Sequence, residues 1–170
     1  MIKRIVINLL PFAGRSVGRG AGRGAARAGC LLALMLTAAC APQFFPGGKR
    51  SGTPQIDTNT LVTADQAHLP WRIWPAEKQP AKAVIIALHG FNDYSRAFEK
   101  PAAWWAKSGL AVYAYDQRGF GAGPHPGYWS DAETMALDLR DAVIAVRKNH
   151  PQTPVYLLGS SMGAAVILAA

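Results

Sequence analysis

An α/β fold, a mostly parallel sheet with helices on both faces, is the class this 170-residue sequence predicts. Three observations carry it. The runs 83–88 (AVIIAL) and 155–158 (VYLL) are apolar and strand-like, and the first has the uninterrupted character of a strand buried on both faces of a parallel sheet. A third run, 110–116 (LAVYAYD), reads as a strand that ends in the tight loop 117–121 (QRGFG). Helix-forming stretches separate the three, and alternation of that kind produces a parallel sheet covered on both sides.

In chain order, residues 61–64 and 69–74 are expected as leading antiparallel strands. After strand 83–88, Pro101 suits a first helical position, 102–107 are mostly helix formers, and Gly109 suits the stop. The next helix has Ser130 and Glu133 in a capping-box spacing. Met135, Leu139, Ala142, Val143 and Val146 follow at helical intervals, and Pro151 ends the helix after Asn149. Residues 164–170 form a last, alanine-rich helix.

The chemistry is concentrated in Gly159-Ser160-Ser161-Met162-Gly163, a G-x-S-x-G between strand and helix. That context is a nucleophile elbow: the serine occupies a strained positive-φ turn, and β-carbons on the flanking residues would crowd strand against helix. Ser161 is centred between Gly159 and Gly163, so it is the candidate nucleophile. Strand 83–88 runs into His89-Gly90-Phe91, at the strand end where open α/β sheets place ligands. Acyl transfer needs two N–H donors aimed at the developing oxyanion, and these are assigned to the backbones of Met162 and Phe91. His89 reads as a loop-shaping imidazole rather than the base. Asp116 and Arg118 read as scaffold, a loop-fixing ion pair. Phe91, Tyr94, Tyr128 and Trp129 suit either an apolar rim or ordinary packing.

The order strand–HGF, strand–DQRGFG, strand–GSSMG over residues 60–170 resembles the α/β-hydrolase superfamily, in particular its monoacylglycerol lipase, lysophospholipase and serine aminopeptidase-like branch. Ser160 stands where that branch usually has His, Ala164 where it often has Gly, and Gly123 where a serine is common. The resemblance implies an α/β-hydrolase fold and a serine hydrolase acting on a small-molecule or lipid ester through an acyl-enzyme. An aminopeptidase-like amide hydrolase and a non-catalytic binding protein are the alternatives. In the resembling families the acid and the histidine base follow the nucleophile. Neither is therefore expected within this chain, which is expected to be inactive alone and to leave strand 155–158 with an open edge.

Residues 1–40 are a different object. They carry six basic residues and no acid, leaving twelve basic against ten acidic in the remainder, so the net charge of +8 belongs largely to this leader. The apolar run 28–39 has the length of a signal-peptide core and is too short to span a bilayer. It closes in Leu36-Thr37-Ala38-Ala39-Cys40, which resembles the lipobox of bacterial lipoproteins, although Thr37 holds the usual leucine position. The resemblance implies lipidation of Cys40 and an outer-membrane anchor facing the periplasm. Ordinary cleavage and secretion, or a cytoplasmic enzyme with a misassigned start, are the alternatives. Residues 41–59, rich in Pro, Gly, Ser and Thr, read as a flexible linker to a domain beginning at 60. Both cysteines, Cys30 and Cys40, precede that domain. No disulfide framework, metal or other cofactor is therefore expected there. The arginine–glycine segment 15–27 lacks the interleaved aromatics that stack bases, so no nucleic-acid partner is expected.

Overall fold

The computed structural model describes residues 44–170; the readings of residues 1–40 and of Cys40 lie outside them. Nine elements form. The strands are β1 (Gln55–Asp57), β2 (Thr60–Val62), β3 (His68–Trp74), β4 (Ala83–Leu88), β5 (Leu110–Tyr115) and β6 (Val155–Gly159). The helices are α1 (Glu99–Lys107), entered through a 3-10 turn at Ser95–Phe98, α2 (Ala132–Asn149) and α3 (Met162–Ala169). One sheet joins all six strands in the order β1-β2-β3-β5-β4-β6. Its leading strands β1, β2 and β3 run antiparallel up to β5, and β5, β4 and β6 are mutually parallel.

Period-two alternation explains why the central strands are apolar throughout. Val84, Ile86 and Leu88 of β4, with Ala111, Tyr113 and Tyr115 of β5, face a core completed by Met135, Leu139, Ala142 and Val146 of α2 and Val166 of α3. Ala87, Val112 and Ala114 face the other way, against Phe98 and Ala102 at the α1 side. Helices therefore cover both faces of the parallel strands. Strand β6 lies at the sheet's edge, with Tyr156, Leu157 and Leu158 exposed. Among the described residues no helix is long and apolar enough to cross a membrane.

Three details differ from the expectations. Residues 44–59 are not a free tether. Gly47 N–H donates to Thr134 Oγ1 at 2.9 Å, Gly48 N–H to Asp65 at 2.8 Å, and both Ser51 and Gly52 to the Ala64 carbonyl. The Arg50 guanidinium meets Asp141, and β1 follows at once. Backbone donors that a Pro/Gly-rich composition leaves free in isolation find fixed acceptors here, so order extends upstream of residue 60.

The cap of α2 is Asp131, not Ser130. The Asp131 carboxylate accepts from Thr134 N–H at 2.7 Å and from the Thr134 hydroxyl at 2.9 Å, two bonds that a serine one residue earlier does not make. Ser130 is buried instead, with no partner for its hydroxyl among the described residues.

Asp116 and Arg118 do not pair with each other. Arg118 holds Asp138 through two bonds of 2.7 Å and Asp65 through a third of 2.7 Å, all three side chains nearly closed to solvent. Burial is the largest influence on both carboxyls and drives both upward. Hydrogen bonds from Arg118, Thr63 and Gly48 overcome it at Asp65, which stays well below the usual carboxylate range. The more enclosed Asp138 is pushed up to about 6 despite its two-point contact. One guanidinium does not offset the desolvation of two carboxylates equally.

Removing the shared cation leaves two buried carboxylates. Arg118→Met is expected to destabilise the domain by about 3–5 kcal/mol. Arg96→Ala, which breaks the exposed pair between Arg96 of the 3-10 turn and Glu99 of α1, should leave the unfolding midpoint close to that of the parent. Urea unfolding midpoints of the two variants decide between these magnitudes.

Candidate active site

Three strand ends meet at the C-terminal edge of the parallel strands. Strand β6 delivers Ser160 and Ser161, β4 delivers His89, Gly90 and Phe91, and β5 delivers Asp116, Gln117 and Arg118. Register makes the first two coincide: Leu88 of β4 pairs with Gly159 of β6, so both chains leave the sheet at one level. The turn after β6 then crosses the end of β4, with Ser160 N–H donating to the Leu88 carbonyl at 3.0 Å.

Glycine is obligatory on both sides of that crossing. A β-carbon on Gly163 would overlap the Leu88 carbonyl oxygen. One on Gly159 would lie 2.5 Å from the Ala164 Cα and from the Gly163 carbonyl carbon. Gly90 is different: a β-carbon there would sit 3.5 Å from the Ser160 carbonyl oxygen and 3.6 Å from the Ser161 Cβ, ordinary contact distances. Those same distances show that the 89–91 loop lies directly against Ser161.

Ser161 has φ 48° and ψ −111°, a combination L-residues seldom adopt. It precedes α3 in the N-cap position, yet its hydroxyl caps nothing. The backbone does that work. The Ser160 carbonyl accepts from Gly163 N–H at 2.9 Å, and the Ser161 carbonyl from Ala164 and Ala165. The serine side chain is left exposed and available. Among the described residues, neither Met162 N–H nor Phe91 N–H donates to a backbone carbonyl. An exposed hydroxyl beside uncommitted main-chain donors at a helix N-terminus can serve acyl transfer.

His89 is wholly buried and does not meet Ser161. Its Nε2 accepts the Gln117 N–H at 3.0 Å, so the ring proton sits on Nδ1 and donates to the Gly90 carbonyl at 2.8 Å. The Gln117 side-chain amide returns a bond of 2.9 Å to the His89 carbonyl. The imidazole is thus a neutral brace between two loops, and burial lowers its pKa against smaller opposing effects of Gly90, Asp116 and Asp93. Asp116 braces a third direction, accepting from Ser95 N–H and Ala122 N–H at 2.9 Å each. The sequence pattern did not signal Gln117, whose role depends on a partner 28 residues away.

Phe91 is 64% exposed, edge-on against Phe120 and tilted against Trp129. Tyr94 and Tyr128 are exposed as well. Among the described residues no three His, Cys, Asp or Glu side chains converge as a metal-ligand set. A concavity of about 440 Å³ beside β3, lined by Asn59, Trp71, Arg72, Trp74, Ser95 and Asp116, includes neither Ser161 nor Phe91.

Residues 79–170 match the Hydrolase_4 family, described as serine aminopeptidase, S33. Rat monoglyceride lipase is 35% identical over 119 residues, covering 69% of this chain and 39% of the relative. The monoacylglycerol lipase of Mycolicibacterium smegmatis is 31% identical over 98 residues, 57% of this chain and 35% of that protein. Among solved structures, an α/β hydrolase from Penicillium superposes with a TM-score of 0.55 at 28% identity, over 65% of this chain and 39% of the other. The chain spans about two fifths of the length of the rat and human monoglyceride lipases.

Glycine packing gives one expected contrast. Gly159→Ala and Gly163→Ala force backbone apart and should each destabilise by more than about 3 kcal/mol. Gly90→Ala should fold with an unfolding midpoint close to that of the parent. A second expectation concerns His89, whose folded-state pKa lies below its ordinary 6.5. The unfolded chain therefore binds the proton first. The stabilisation is complete above about pH 6.5 and declines as pH falls from there through the lowered folded-state value. Replacing the ring by Gln, which keeps an acceptor for Gln117 N–H, should flatten that slope in unfolding midpoints measured across the range.

Proposed function

The chain belongs to the family described as serine aminopeptidase, S33, and from that premise we propose that it supplies the nucleophile and oxyanion-binding half of a serine hydrolase acting on carboxylic esters. The observation that carries the reading is the strained, exposed Ser161 turn lying against the Gly90 loop. Ser161 Oγ attacks the ester carbonyl, and the Met162 and Phe91 N–H groups stabilise the tetrahedral oxyanion before it collapses to an acyl-enzyme with loss of the alcohol. The proton from Ser161 passes to a histidine held by an acidic residue, both supplied from outside residues 44–170. His89 does not fill that role, because Gln117 N–H occupies its Nε2.

Monoacylglycerols and lysophospholipids are the proposed substrates, supported by likeness to monoglyceride lipases from rat and human and by the exposed aromatic residues near the serine. Amide hydrolysis is the second reading, favoured by the aminopeptidase description of the family itself. The leader and its lipobox-like ending support export with Cys40 lipidated, anchored at the outer membrane and facing the periplasm.

The test uses the protein that carries this chain, with p-nitrophenyl butyrate against an aminoacyl p-nitroanilide. Ser161→Ala should lower ester turnover about a thousandfold or more and abolish labelling by a fluorophosphonate probe. Ser160→Ala should keep both. Labelling that persists in Ser161→Ala sinks the assignment, and anilide turnover in excess of ester turnover favours the amide reading.

A further inference from the structure

An aromatic patch joins the segment ahead of β1 to the rim of the candidate site. Phe44 bridges to Trp129 in a parallel backbone pair, and Phe45 N–H donates to the Trp129 carbonyl at 3.0 Å. The Phe45 ring stacks on His125 at 4.3 Å and meets Tyr128 edge-on at 4.9 Å. Trp129 in turn lies 6.2 Å from Phe91 and from Phe120. The outward members remain open to solvent: Phe44 is 55% exposed, Phe45 38%, Tyr128 43% and Phe91 64%. These four large aromatics adjoin Trp129 or one another, a clustering of the kind that marks an interaction site rather than scattered exposure.

The chain upstream identifies the occupant. Cys40 stands four residues before Phe44, and four fully extended residues reach about 14 Å at most. If residues 44–59 were a loose tether, an anchored Cys40 would let the domain stand well clear of a bilayer. They are pinned to the domain instead, by the Thr134, Asp65, Ala64 and Asp141 contacts of Gly47, Gly48, Ser51, Gly52 and Arg50. An anchor at Cys40 therefore holds Phe44 and Phe45 within one headgroup layer's reach of the lipid.

We propose that Phe44, Phe45, Tyr128, Trp129 and Phe91 form a docking face for a phospholipid surface, presenting the Ser161 mouth directly to the membrane. Aromatic rings of this type settle at the bilayer–water interface. A lipid ester then enters the site along apolar side chains without crossing bulk water. The inference rests on the lipoprotein reading of Cys40 for the leash, while the face itself is defined by the folded domain.

The test is intrinsic fluorescence of the full, processed protein in vesicles of phosphatidylglycerol and acyl-chain-brominated phosphatidylcholine. Bromine is expected to quench a distinct fraction of the emission. Trp129→Phe should remove that fraction and Trp104→Phe, on the exposed side of α1, should leave it. Phe44→Ser with Phe45→Ser should cut it by about twofold or more while Trp129 is retained. A quenchable fraction untouched by Trp129→Phe, or unchanged in the double variant, overturns the proposal. So does unquenched emission, including the case in which sedimentation shows a second copy covering the patch. The mass of the N-terminal peptide scores the anchor separately. An unmodified Cys40 sinks the lipoprotein reading alone, and the same protein, added to preformed vesicles of that composition, is then judged by the same quenching criteria.

Discussion

The crossing of two backbones at Gly163 and Leu88 is the constraint on which the rest of the site depends. Parallel strands β4 and β6 end in register, so whatever follows β6 must pass over the carbonyls at the end of β4. Only a residue without a β-carbon passes at that distance. The crossing brings Ser161 and Gly90 together without any side-chain interaction between them. It also aims the N-terminus of α3 at the same spot, because the helix begins one residue after the turn. Serine, loop and helix end converge through main-chain geometry alone, with no side chain of Ser160 or Ala164 required.

A second layer keeps those strand ends from moving independently. His89 ties the β4 loop to the β5 loop through Gln117 in both directions, Asp116 ties the β5 loop to the 3-10 turn before α1, and Arg118 ties it to α2 and to Asp65. The ties differ in kind. The His89 and Asp116 bonds join side chains to backbone donors and carbonyls, satisfying polar atoms that burial would otherwise penalise. The Arg118 cluster buries three charges, and its net contribution to stability is smaller than its geometry suggests, since desolvation offsets much of the attraction. Its clearer effect is positional: a planar fork with three fixed bonds holds the loop in one orientation.

How much of this was legible in the sequence divides by range. Strands β3, β4, β5 and β6 and helices α1 and α2 were readable because period-two and period-3.6 burial leaves a local trace, and the elbow was readable because its glycines are four residues apart. Partners distant in sequence left no such trace. Arg118 read as the neighbour of Asp116 two residues away, whereas its acceptors lie 20 and 53 residues off. The α2 cap failed by one residue for another reason. Ser130 and Asp131 both suit capping, and only the packed position of the chain, which buries Ser130, chooses between them. The segment 44–59 was misread through composition, which reports the entropy a chain would lose and is silent on the acceptors it will find. The adjacent pair Phe44-Phe45 in an otherwise small and polar stretch was the available signal that this segment has something to pack against.

The strain at Ser161 is the structural ground for the proposed function. A non-glycine residue at φ 48° and ψ −111° costs about 1–3 kcal/mol, and the surroundings must sustain it. They do so through Ser160 N–H on Leu88 and through the Ser160 and Ser161 carbonyls on the first turn of α3. None of those bonds uses the serine hydroxyl. Glycine at position 161 would relieve the strain and keep every one of them, so fold stability alone gives no reason for a side chain there. What the side chain adds is an exposed oxygen held at the convergence of strand ends, helix terminus and loop. A group that costs stability and supports no structural bond is what the proposed nucleophile role of Ser161 requires.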